Sequence, residues 1–230
     1  MSRRLQDGSI PGARPANPLS AALAGLPTVV QPRGVWAGRR QLCVQFAAEA
    51  ETATVFTAES LATALGRLSG RSPLHSIVLT GRDVLAHAPF LAATFHARRP
   101  SLPVMLETDG QRPESVAGLA HNLALVQVTL DFARAEGGDL EGERAAETLA
   151  AADGTGVAHA LVLVPRPSTS DARLLRVVER AHAASRGTMI VIHPASTLIA
   201  DVTVDHRWSA LLEQAAALHG DVRLLREVWV

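Results

Sequence analysis

Four side chains that could do chemistry fall just after apolar runs of the chain: Asp83, Glu107, Asp131 and His193. The runs before them (Ser76-Ile-Val-Leu, Val104-Met-Leu, Val126-Gln-Val-Thr-Leu and Met189-Ile-Val-Ile) have the composition of buried β-strands. If the strands are parallel, all four residues sit at one end of a sheet. There they could bind a hard metal or divide the roles of acid and base. Carboxylates at such turns also serve as helix caps, and a lone His near a strand end is commonly a hydrogen-bonded structural residue. His75, His87, His96 and His121 are scattered and build no H-E-x-x-H. The chain has a single cysteine, Cys43, inside an apolar run, where it reads as a small buried hydrophobe. That count rules out an intrachain disulfide and a thiolate-based zinc site. No G-x-S-x-G elbow, Walker A or G-x-G-x-x-G after the first strand is present.

The positioning elements alternate. Strands are expected at Gln41–Phe46, His75–Thr80, Leu102–Glu107, Leu125–Leu130, His159–Val164, Thr188–Ile192 and Asp221–Val228. Helices are expected at Phe56–Leu68, Val84–Arg98, Arg112–Asn122 and Glu141–Ala152, in a segment capped by Ser170, and at His206–Leu218. Thr57 is a plausible N-cap, and Pro113 falls early, where a missing N–H does no harm. Six βα units in strict alternation imply a parallel sheet covered by helices. The pattern alone permits a Rossmann-like sheet, a barrel lacking units or an open partial barrel. Residues 1–30, rich in Pro, Gly, Ala and Ser, read as an extended or partly disordered arm, and 31–230 as a single domain.

Composition narrows the partners. The formal net charge is zero, from 22 basic and 22 acidic residues, which argues against a nucleic-acid surface. No apolar run approaches the ~18–20 residues of a membrane span, although association with a membrane-bound assembly stays open. One thiol and a poor signal peptide fit a cytoplasmic location.

Residues 32–46, Pro-Arg-Gly-Val-Trp-Ala-Gly-Arg-Arg-Gln-Leu-Cys-Val-Gln-Phe, resemble the opening of a radical S-adenosylmethionine (SAM) enzyme of the 7-carboxy-7-deazaguanine synthase branch. Thr80-Gly81-Arg82-Asp83 is similar to that family's Thr-Gly-Gly-Glu, and Glu107-Thr108-Asp109-Gly110 to its Glu-Thr-Asn-Gly. Asp131 and His193-Pro194 stand where relatives carry an acid and Gln-Pro. The resemblance implies an α/β fold: an open partial (β/α)6 barrel of the radical SAM type, with parallel strands and an extra C-terminal strand. It marks Thr80, Gly81, Arg82, Asp83, Glu107, Thr108, Asp109 and Gly110 as the remnant of a SAM site.

The departures matter as much. Where the family has a three-cysteine loop, this chain reads Ala47-Ala48-Glu49-Ala50-Glu51-Thr52. A [4Fe–4S] cluster needs several thiolates. Arg82 replaces a glycine and brings a cation to the place of the ligand's ammonium. The expected role is therefore a non-catalytic pseudoenzyme without a cofactor, serving as a structural or adaptor subunit of a protein assembly. Val228-Trp229-Val230 and the arm are its candidate contacts. The alternative is an enzyme or small-molecule sensor that uses Glu107, Asp131 and His193 at the barrel mouth. Anaerobic reconstitution with iron and sulfide should give sub-stoichiometric iron and no broad visible charge-transfer band. A stoichiometric cluster in a monomeric chain contradicts the expectation.

Overall fold

The structure, a computed structural model, describes residues 19–48, 52–71, 73–133, 140–195 and 202–225, with side chains of the last segment from 206 onward. Seven strands run parallel in one sheet: β3 (Arg40–Phe46), β5 (Ser76–Gly81), β6 (Val104–Thr108), β7 (Leu125–Asp131), β8 (His159–Val164), β9 (Met189–Ile192) and β10 (Val222–Leu224). They lie side by side in chain order, as in a barrel and unlike a doubly wound sheet, whose order reverses at its centre. The sheet ends at β10 on one side and at β4 (Thr54–Thr57) on the other, and these two do not pair. The fold is thus an α/β open partial barrel of six crossovers, with β10 as the additional strand.

Both faces are buried, which explains the nearly continuous apolar strands. Leu42, Val44, Ile77, Leu79 and Leu106 pack under helices α1 (Ala58–Ser69) and α2 (Ala88–Ala97). Val128, Leu161, Leu163, Ile190 and Ile192 pack under α3 (Leu140–Gly154), α4 (Asp171–Ala184) and α5 (Val202–Leu218). The alternate residues Cys43, Val78, Met105, Leu125 and Ala160 face the other way, against Val35 and Trp36 of the loop at 31–39. That loop plugs the inside of the half-barrel, and Trp36 meets His75 edge-on at 4.9 Å.

The structure moves several expected boundaries. Residues 20–30 are not an arm. β1 (Ser20–Gly25) pairs antiparallel with β3 and β4, and β2 (Thr28–Val30) with β3. The cause is burial: Ala21 and Leu23 join the helix-side core, and Leu23 has no exposed surface. The domain therefore begins at least ten residues earlier than expected; residues 1–18 and 226–230, including Trp229, lie outside the described part. The helix expected at Arg112–Asn122 is two short 3-10 turns, Pro113–Ser115 and Ala120–Asn122. Arg112 before them is left-handed, and Gly118 lies between them. The helix expected from Val84 opens as a 3-10 turn through His87. Thr57 caps α1 as expected, accepting the Ser60 N–H at 3.2 Å, but Ser170 makes no side-chain cap bond to α4. No helix among the described residues is long and apolar enough to cross a membrane.

Leu23→Ala should lower stability by about 2–5 kcal/mol, because it empties a closed site between β1, α1 and β3. Denaturant titration measures it, and a loss below about 1 kcal/mol would mean that β1 is peripheral.

Candidate functional site

Three neighbouring parallel strands end in short polar stretches, and these build one cleft. β5 brings Thr80 and Gly81, β6 brings Glu107, Thr108 and Asp109, and β7 brings Thr129, Leu130 and Asp131. Arg33 from the plugging loop, Gln111, and Glu141 and Arg144 from α3 complete the wall around about 340 Å³. Ligand pockets begin at about 300 Å³, so the space suits a small metabolite.

Glu107 forms the floor. Its register partner on β7 is Gln127, whose side chain is fully buried. The Gln127 amide accepts the Val35 N–H at 3.3 Å and donates to Glu107 Oε1 at 3.4 Å. The Thr129 hydroxyl donates to the same oxygen at 3.3 Å. Gly34, at φ +87°, lets the loop pass: a Cβ there would lie 2.0 Å from the Gln127 amide oxygen. Gly81, at φ +130°, is equally constrained, since its Cβ would meet the Phe46 carbonyl oxygen at 2.6 Å.

Two acids of the rim are occupied. Arg166 donates from one nitrogen to both Asp131 oxygens at 3.1 and 3.2 Å, and the Ala133 N–H adds a bond at 3.0 Å. Arg112 donates to both Asp83 oxygens at 2.9 Å, which ties the β5 turn to the β6 turn. Asp83 and Arg112 both adopt left-handed φ, a conformation that costs about 1–3 kcal/mol in a non-glycine residue and persists only where its surroundings impose it. His87 stacks on Phe46 at 4.5 Å, and burial lowers its pKa, with the Asp83 anion opposing and the Arg112 cation assisting.

Of the residues expected at the mouth, Thr80, Gly81, Glu107, Thr108, Asp109 and Asp131 meet in the cleft. Asp83 does not; its carboxylate is held by Arg112. Arg82 is exposed and lines no part of the wall, and His193 is buried outside it. Gly110 turns away, its carbonyl accepting the Thr148 hydroxyl at 2.9 Å. The four-residue metal alternative gains no support, because no group of three or more His, Cys, Asp or Glu among the described residues could hold a metal ion. Arg33, Gln127, Thr129, Glu141 and Arg144 were not singled out by sequence. Arg33 stood within a quoted motif, but nothing in its spacing tied it to β6.

Cys43 lies on the plugged face below Glu107. Burial first, and the Glu107 carboxylate second, push its thiol up from 9.0 to about 11. A raised thiol pKa stabilises the fold below the unfolded value near 9.0, and this contribution is lost as pH climbs through about 11. Alkylation of the native protein by iodoacetamide should therefore be far slower at pH 8 than in denaturant. Equal rates would mean that the plug does not cover the thiol.

No protein-family model and no curated protein matches the chain. Among solved structures, the chain is similar to the apo form of a protein assigned as a deoxyribose-phosphate aldolase from Toxoplasma gondii ME49. The identity is 12%, the TM-score 0.41, and the match covers 80% of this chain and 73% of that one. A likeness at that level speaks to neither substrate nor activity.

Proposed function

We propose that this chain is a non-catalytic pseudoenzyme with a radical-SAM-like partial barrel, working as a structural or adaptor subunit of a larger protein assembly. The observation that carries the reading is the state of the groups a radical enzyme would need. The chain has one thiol, buried on the plugged face, where a cluster needs several thiolates. Asp83, in the place of the acid that receives the ligand's amino end in the family, is spent on Arg112.

The contact surface proposed for the partner is the antiparallel corner of the sheet. β4 (Thr-Val-Phe-Thr) is paired only with β1 among the described residues and contains neither a charge nor a proline. Edge strands without such guards are templates for another strand. Val55 on β4 is 71% exposed, so an extended apolar segment of a partner would find both hydrogen bonds and apolar surface there.

Val55→Lys tests this directly. The site is exposed, so the thermal midpoint should stay within a few degrees. Native purification followed by mass measurement should show the wild-type chain in a defined complex and the variant released from it. A wild-type chain that runs as a monomer in native extracts overturns the subunit reading.

A further inference from the structure

The cleft carries charge of both signs that the fold itself leaves unsatisfied. The side chains of Arg33, Arg144 and Glu141 have no hydrogen bond or ion pair with any described residue. Glu107 has one oxygen bonded to Gln127 and Thr129, while its second carries no bond. Of the remaining wall acids, Asp131 is paired with Arg166, while Asp109 accepts only neutral donors, the Gln111 amide at 2.8 Å and the Gln111 N–H at 3.2 Å, and so adds a negative charge to the wall. A guanidinium offers a planar fork suited to carboxylate or phosphate, and a fixed carboxylate suits an ammonium.

The balance of these groups decides the ligand class. A simple anion would meet Arg33 and Arg144 but also Glu107, Asp109 and Glu141. A simple cation would meet the reverse. A molecule with both charges satisfies both sets, and about 340 Å³ admits a small metabolite while excluding a polymer. The floor is also held in place. Gln127, fully buried, is locked by the Val35 N–H and in turn orients Glu107, while the same loop delivers Arg33 to the wall. Such preorganisation lowers the cost of ordering the site around a ligand.

We infer that this cleft binds a small zwitterion, with its carboxylate or phosphate on Arg33 and Arg144 and its ammonium on Glu107. The inference is independent of the assembly role, since the cleft and β4 share no residue.

Calorimetry on the full chain with O-phosphoethanolamine and γ-aminobutyrate, against inorganic phosphate and ethanolamine alone, tests it. At least one zwitterion should bind saturably and at least about tenfold tighter than either single-charge probe. The two zwitterions separate a phosphate from a carboxylate preference. Glu107→Gln, which keeps an acceptor for Gln127 and Thr129, and Arg144→Met on the exposed face of α3 should each weaken binding about 10- to 100-fold with unchanged thermal midpoints. The inference is overturned if neither zwitterion binds below about 1 mM, if phosphate alone binds as tightly, or if both variants keep wild-type affinity. Loss of the partner in Val55→Lys with zwitterion binding intact would separate the two proposals.

Discussion

The amide of Gln127 is the joint on which the cleft depends. It is a fully buried polar group on the inner face of a parallel sheet, where an unsatisfied amide would cost about 1–3 kcal/mol. Two partners remove that cost, the Val35 N–H on one side and the Glu107 carboxylate on the other. The first fixes where the plugging loop lies, and the second fixes where the floor of the cleft lies. The loop can come close only because Gly34 has no side chain to collide with the amide. One hydrogen-bonded chain thereby couples the apolar inside of the half-barrel, capped by Val35 and Trp36, to the polar mouth above it.

The open architecture follows from what covers each face. Helices take one face of every parallel strand, and the loop takes the other where a closed barrel would place opposite strands. At the start of the sheet, β1 and β4 continue it in antiparallel fashion. They bury Leu23 and Ala21 on the helix side and leave Val55 in solvent. The extra strands therefore enlarge the core while leaving, among the described residues, β4 with one unpaired edge, and the proposed assembly role draws on that edge.

Electrostatics at the rim divides the residues into those that hold the fold and those that remain for a ligand. Asp83–Arg112 joins two neighbouring turns through residues in left-handed conformations. Asp131–Arg166 joins the ends of β7 and β8. Both pairs are partly exposed, so their value lies in fixing geometry more than in net stability. With these charges matched, Glu107, Glu141, Arg33 and Arg144 line the cleft with no ion pair to a described residue, and Asp109 beside them is bonded only by the neutral Gln111. They meet in one cleft, although they come from a strand, a helix and a loop far apart in the chain.

The family resemblance marked Thr80, Thr108 and Asp109, while the alternation of short apolar runs with amphipathic stretches determined the parallel sheet, its six crossovers and the end at which Glu107 and Asp131 would meet. Those features were legible because strand burial and helix periodicity are local properties of the sequence. The count of one cysteine likewise settled how many thiolates the chain can offer. Tertiary structure alone decided the rest. Residues 20–30 look like an untethered Pro/Gly-rich arm until β3 supplies the hydrogen-bonding edge and α1 the core that bury Leu23. The stretch at 112–122 has helical composition, but its backbone forms two 3-10 turns around Gly118 with Arg112 held by Asp83. Asp83 and His193 left the site for the same kind of reason: one is drawn to a nearby guanidinium, the other is buried outside the cleft. Arg33 entered it because a buried glutamine ninety-two residues beyond Val35 captured the loop that carries it, and a contact between residues so distant in sequence leaves no local pattern to read.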